Sequence, residues 1–155
     1  MNRFLVFWAE DAYDESLELL AEDVKYKDNA LPTWAPNSGT FLGRDAVREA
    51  MRQSSEHWDY VARRLGPLRP HRADPTRFHC QIEHAARHRA SGEMLFYKNR
   101  MVAKIKGERI AEIKLFHDVA QFQAFLGLIR STSMALNTKS PNKAGCSGAK
   151  TSVAS

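Results

Sequence analysis

Between Arg77 and His117 the chain alternates apolar and polar residues through three consecutive runs, and this pattern constrains the fold more than any other feature. In Arg77–Ala90 one parity carries Phe78, Cys80, Ile82, His84, Ala86 and His88. Ser91-Gly92 breaks the run. In Met94–Lys106 one parity carries Leu95, Tyr97, Met101, Ala103 and Ile105, and Gly107-Glu108 then turns the chain into Arg109–His117. A period of two places alternate side chains on opposite faces, so these runs predict an antiparallel meander with one apolar face to bury.

The cover for that face comes from helical patterns at the two ends of the chain. Phe4, Leu5, Phe7, Trp8 and Ala12 form a helical stripe. Asp14 is placed to cap a second short helix carrying Leu17, Leu20 and Ala21. Val24–Lys27 alternates as a short strand, and Asp28–Thr40 is broken by Pro32, Pro36 and Gly39. Gly43-Arg44-Asp45 opens a third helix, with Val47, Ala50 and Met51 on one face, reaching toward Trp58. Tyr60–Leu68 is a further strand, followed by a turn-rich link through Pro70 and Asp74-Pro75. A closing helix starts at Asp118 and carries Phe122, Phe125, Leu126 and Ile129. Helices first and then a meander give an α+β class.

The 155 residues suffice for one ordinary domain. Ser131–Ser155 is rich in small and polar residues and holds Lys139, Lys143 and Lys150 without an acid. It reads as a disordered tail after a domain spanning 1–130. The net charge of +5 is uneven: residues 1–59 hold 6 basic and 12 acidic side chains, and residues 60–155 hold 17 and 6. The imbalance follows the order of acidic helices and basic strands. Arg63, Arg64, Arg69, Arg72 and Arg77 raise the question of nucleic acid. No helix-turn-helix, stacking motif or basic block accompanies them, so no nucleic-acid partner is expected. The sequence holds no long apolar run, and Met1–Trp8 does not read as a signal peptide, so no membrane association is expected. Cys80 and Cys146 lie far apart without a metal-ligand neighbour and read as reduced thiols of a cytoplasmic protein.

Three segments together resemble the SnoaL-like family of the NTF2-like, ketosteroid-isomerase-like superfamily. They are Gly43-Arg44-Asp45-Ala46-Val47-Arg48, the strand Arg109–His117 ending in Phe116-His117-Asp118, and the acidic stretch Leu17–Val24. The resemblance spans about residues 4–130. It implies a cone in which a curved, mainly antiparallel sheet wraps three N-terminal helices around an apolar pocket, to which the composition adds the disordered C-terminal tail. It also implies a homodimer packed through the sheet and a small hydrophobic ligand. Enzymes of this superfamily include cyclases, isomerases and dehydratases, and other members only bind or interact; the fold leaves function open.

In cyclases of this family the residue matching Asp118 is the base that takes a proton alpha to a carbonyl. The pattern Asp118…Gln121 is equally a capping box at a helix start. His84 shares the buried parity of its strand and is a candidate to polarise a carbonyl or relay a proton. His88 lies four residues on, roughly 13 Å away along a strand, too far to share a metal. His117 is assigned to the face opposite Asp118, at an interface. Tyr26, Trp34, Trp58, Tyr97 and Asn99 are candidate pocket-wall residues, and Arg100 a candidate for an anionic substrate group. Leu115 stands where the related phenazine-pathway proteins carry a catalytic Glu, which argues against that chemistry. No phosphate loop, metal cluster or cofactor motif occurs, so neither metal nor cofactor is expected.

Two functions follow. One is a cofactor-independent isomerase, cyclase or dehydratase acting by acid-base chemistry on a hydrophobic carbonyl compound. The other is a non-catalytic ligand-binding or protein-interaction module in which Asp118 only caps its helix. The direction of the Asp118 carboxylate separates them.

Overall fold

The computed structural model describes residues 1–29 and 39–138. Its elements are α1 (Asn2–Ala9), α2 (Tyr13–Glu18), β1 (Leu20–Asp28), β2 (Gly39–Leu42), α3 (Arg44–His57), β3 (Trp58–Leu65), β4 (Arg69–His71), β5 (Asp74–His88), β6 (Met94–Lys106), β7 (Arg109–His117) and α4 (Val119–Thr138). The strands form one mixed sheet in the order β2-β1-β7-β6-β5-β3, with β4 paired to β5. Among the described residues only the β1–β7 pairing is parallel. The α+β class and the curved sheet around the helices are as the sequence suggests.

The period-two pattern holds through the middle of β5 and β6, while in β7 it shifts by one between buried Ile110 and Ile113, opposite the register shift at Lys104/Ile105. Cys80, Ile82, His84 and Ala86 of β5 are buried, as are Leu95, Tyr97, Asn99, Met101 and Ala103 of β6. The helices meet this face with their apolar stripes. Phe4, Leu5 and Trp8 point inward from α1, and Val47, Ala50, Met51 and Ser54, at helical spacing, from α3. The Gly43-Arg44 pair of the family-like motif is a joint. Gly43 sits at φ +83, its N–H donates to Val24 O at 2.8 Å, and a Cβ there would press on Glu22 O at 3.3 Å. Arg44 donates from Nε and Nη2 to Leu20 O at 2.9 and 2.6 Å. The motif therefore fastens α3 to β1.

Several boundaries differ from the sequence reading. β1 begins at Leu20 and ends at Asp28, so Asp28 closes a strand. Gly39–Leu42 pairs with β1, and Arg69–His71 is a short strand that tolerates Pro70. Ala12, not Asp14, occupies the N-cap of α2, and Asp14 lies in its first turn, where a carboxylate favours the helix dipole. The domain end expected at residue 130 falls inside α4, which continues to Thr138. Met134-Ala135-Leu136 are good helix formers in an otherwise polar stretch. Residues 139–155 and most of the Asp28–Thr40 segment, including Trp34, lie outside the described residues.

The core has two parts. The larger packs α1, α2 and α3 against the sheet around Phe4, Leu17, Val24, Val47, Ile82 and Met101. The smaller joins α4 to the opposite end of the inner face through Trp58, Ala86, Leu95, Tyr97, Phe122 and Phe125. Between these two apolar regions the inward positions turn polar.

Candidate functional site

The polar belt follows directly from strand register. Arg63 of β3 pairs with His84 of β5, His84 with Tyr97 of β6, and Asn99 of β6 with His117 of β7. Asp28, the last residue of β1, pairs with Leu115 of β7. These residues, with Trp8, Tyr13, Tyr26, Ser54 and Tyr60, enclose a cavity of about 40 Å³. That is room for a few heavy atoms and well below the few hundred Å³ of a drug-sized pocket.

Arg63 reaches this cavity because of a bulge. The register shifts between Tyr60 and Ala62, leaving Val61 exposed, so Tyr60 and Arg63 both face inward despite their opposite parity. The Arg63 side chain is only 2% exposed. Its Nη1 donates to Trp8 O at 3.2 Å, Ala9 O at 3.4 Å and Asp11 Oδ1 at 2.6 Å, and Nη2 donates to Tyr13 Oη at 3.3 Å. The first two acceptors are at the end of α1, where a cation complements the helix dipole. Asp11 holds its place in the left-handed region at φ 60. The guanidinium also stacks over Tyr60 at 4.0 Å and Trp8 at 4.7 Å. Burial works against the charge, but Tyr13 and Asp11 outweigh it and the Arg63 pKa is raised.

His117 and Asp28 form a second buried pair. Their side chains are 5% and 4% exposed, with His117 Nε2 at 3.2 Å from Asp28 Oδ1. This is an ion-pair distance without good hydrogen-bond alignment, and both ring nitrogens of His117 lack a hydrogen-bond partner among the described residues. Asn29 locks the two strand ends together. Its N–H donates to Leu115 O at 3.3 Å, and its Oδ1 accepts the His117 N–H at 2.7 Å.

His84 lies flat on Tyr97, with ring centroids 4.4 Å apart and planes 7° apart, and edge-on to Trp8 at 5.7 Å. Burial, reinforced by the nearby Arg63 charge, pushes its pKa down to about 3, with Asn99 opposing weakly. His84 is therefore a neutral imidazole, able to donate one hydrogen bond and accept one. Burial raises the pKa values of Tyr26, Tyr60 and Tyr97, keeping these phenols protonated as donors; the Tyr60 hydroxyl lies 2.7 Å from Ser54 Oγ.

Of the expected site residues, the structure brings His84, Tyr26, Tyr97 and Asn99 together around the cavity. Asp118 is not among them. It is exposed, and its Oδ1 accepts the N–H groups of Ala120 and Gln121 at 3.0 and 3.3 Å. Gln121 does not complete the capping box, since its Nε2 donates to Phe96 O at 2.7 Å. Asp118 is a helix cap turned away from the cavity, which removes the base on which the sequence-level enzyme reading rested. His117 lies on the face opposite Asp118, but that face is the inner one and not an interface: it shares the parity of buried Ile113 and Leu115. Arg100 stands on the outer face, its guanidinium 5.1 Å from the Phe116 ring centre. Trp58 packs with Phe125 in the apolar cluster under α4, outside the cavity. His88 is held at the turn, its Nδ1 2.9 Å from Ser91 Oγ.

Arg63, Asp28 and His117 were missed as site residues. For two of them the signal existed: Asp28 continues the parity of Val24 and Tyr26, and His117 that of Ile113 and Leu115. No such signal marks the bulge at Val61. Elsewhere, Cys80 is a buried thiol whose pKa burial raises to about 11, an unreactive packing residue. Among the described residues no three His, Cys, Asp or Glu side chains are grouped to hold a metal, and no helix is long and apolar enough to cross a membrane.

No protein-family model and no curated protein matches this sequence. Solved structures do match the fold. An NTF2-like protein of unknown function from Burkholderia pseudomallei superposes with a TM-score of 0.69 at 16% identity, covering 78% of this chain and 89% of that one. A Catenulispora acidiphila protein with a ketosteroid isomerase-like fold, in complex with trimethylamine, gives 0.64 at 12% identity, with coverage of 77% and 85%. TerC co-crystallised with polyporic acid gives 0.63 at 15% identity, with coverage of 83% and 93%. At these identities the likeness defines architecture, and the chain has the NTF2-like, ketosteroid-isomerase-like cone fold that its SnoaL-like motifs imply.

Proposed function

With the outward Asp118 counting against the enzyme reading that used it as the base, we propose on other residues that the cavity binds the oxygen-bearing end of a small organic molecule and transfers a proton on it without a cofactor, as an isomerase, cyclase or dehydratase of a carbonyl compound does. The observation that carries this reading is the buried His117–Asp28 pair in one cavity with Arg63 and a neutral His84. A proton on Nε2 directed toward Asp28 leaves Nδ1 of His117 as the basic atom, and the carboxylate stabilises the imidazolium formed when that atom takes a proton. The proton comes from the carbon alpha to the carbonyl. The electron pair of the broken C–H bond forms the enolate double bond, and the carbonyl oxygen gains the negative charge. Arg63 Nε–H and the tyrosine hydroxyls are the donors for that oxygen, acting in a site shielded from water, where such donors are strongest. The aromatic walls Trp8, Tyr26 and Tyr97 suit a ligand that is otherwise apolar. Two structures of the same fold carry small organic molecules, which supports ligand binding as the use of the cone. The exposed Phe96 and Phe116 on the outer sheet face suit a homodimer packed through that face.

The test is deuterium exchange at the alpha carbon of a small ketone, hydroxyacetone, in D2O. The protein accelerates exchange above the buffer rate, and Asp28→Asn lowers that acceleration by about 100-fold or more, the usual scale for losing positioned acid-base help. An Asp28→Asn protein as active as wild type refutes the assignment of the pair.

A further inference from the structure

Resting on the proposed ligand site, the chemistry of the cavity walls narrows the ligand further. Arg63 Nε, the ring nitrogens of His84, His117 Nδ1 and Asn99 Oδ1 are buried without a well-aligned hydrogen bond among the described residues, and His117 Nε2 meets Asp28 Oδ1 only at 3.2 Å. A buried polar atom left without a partner costs about 1–3 kcal/mol, so a cluster of them around one small cavity marks a surface shaped for an occupant. The demands of the atoms differ. Arginine keeps its protons in proteins, so Nε–H can only donate and requires an acceptor; Asn99 Oδ1 can only accept and requires a donor. Neutral His84, held between them in the register, can serve either.

Charge decides what kind of oxygen fits. The Arg63 cation is already matched by Asp11 at 2.6 Å, and His117, when charged, by Asp28 at 3.2 Å. A carboxylate entering the cavity would meet Asp28 with no uncommitted cation among the lining residues. We infer that the ligand is an uncharged hydroxy-carbonyl compound, its carbonyl oxygen accepting from Arg63 Nε–H and its hydroxyl donating to Asn99 Oδ1. A cavity of about 40 Å³ admits that pair of oxygens and the carbons joining them. Arg63 is in this account a binding residue on the developing enolate oxygen, besides anchoring the end of α1.

The experiment follows the Arg63 Nε–H signal of the full-length, 15N-labelled protein by NMR during titration with hydroxyacetone, acetone and acetate. Hydroxyacetone shifts the signal saturably, acetone binds more weakly, and acetate has the least effect. Arg63→Lys weakens hydroxyacetone about tenfold or more, the loss of one good hydrogen bond. Asn99→Ala removes the difference between hydroxyacetone and acetone, a comparison within one variant that survives if Arg63→Lys does not fold. Acetate binding as tightly as hydroxyacetone, or an Arg63 signal that never moves, overturns the inference. The inference and the proton-transfer reading fail separately. Saturable binding without alpha-carbon exchange refutes proton transfer alone, while exchange in Arg63→Lys with unchanged affinity refutes the role of Arg63 alone.

Discussion

The two faces of the β5–β6–β7 meander carry opposite chemistries on neighbouring residues. His117 points into the cone and Asp118, one residue on, caps α4 outside it. Asn99 is buried in the belt, and Arg100 lies against Phe116 at the surface. A charged or titratable side chain on the inner face is desolvated and packed against named neighbours. On the outer face it is solvated and contributes little. The same residue types therefore mean different things at a distance of one residue, and strand parity decides which.

The largest contrast is expected in stability at the smaller core. Phe122 is fully buried under the sheet, so Phe122→Ala is expected to cost about 3–5 kcal/mol in urea unfolding, and Phe116→Ala on the outer face less than about 1 kcal/mol at protein concentrations low enough to keep the chain monomeric. Equal losses would mean that the outer face is covered in the native protein, as a sheet-packed dimer requires.

The next contrast is in pH. His84 has a folded pKa of about 3 against an ordinary value near 6.5. Below pH 6.5 the unfolded chain takes up a proton that the folded protein refuses. The contribution of His84 is complete above that pH and is lost progressively as pH falls toward 3. Unfolding free energy is expected to drop by about 2 kcal/mol from this residue between pH 7.5 and pH 5, and His84→Gln removes that part of the slope. A slope unchanged by the substitution contradicts a buried neutral histidine.

The smallest effect belongs to the cap. Asp118→Ala withdraws the acceptor for two amide groups and is expected to cost about 1 kcal/mol, with Asp118→Asn costing less.

Much of the inner face was legible because alternation is a backbone property. His84, Tyr97 and Asn99 follow from counting by two along β5 and β6. Asp28 and His117 were legible by the same count but lay at strand ends, where the Pro-rich segment after β1 and the capping pattern after β7 drew the reading elsewhere. Arg63 was not legible, because the extra residue at Val61 inverts parity and nothing local in Tyr60-Val61-Ala62 demands a bulge. The family-like Gly43-Arg44 motif was legible as a helix start, yet its purpose, the Arg44 grip on Leu20 O, depends on a contact distant in sequence.

The proposed proton transfer places acid-base capacity in the inward belt and not in the outward cap. Deuterium incorporation into hydroxyacetone, measured side by side for His117→Gln and Asp118→Asn, tests it most directly. His117→Gln is expected to lose about 100-fold or more of the acceleration while Asp118→Asn stays within about twofold of wild type. Loss of exchange in Asp118→Asn with activity retained in His117→Gln would contradict it.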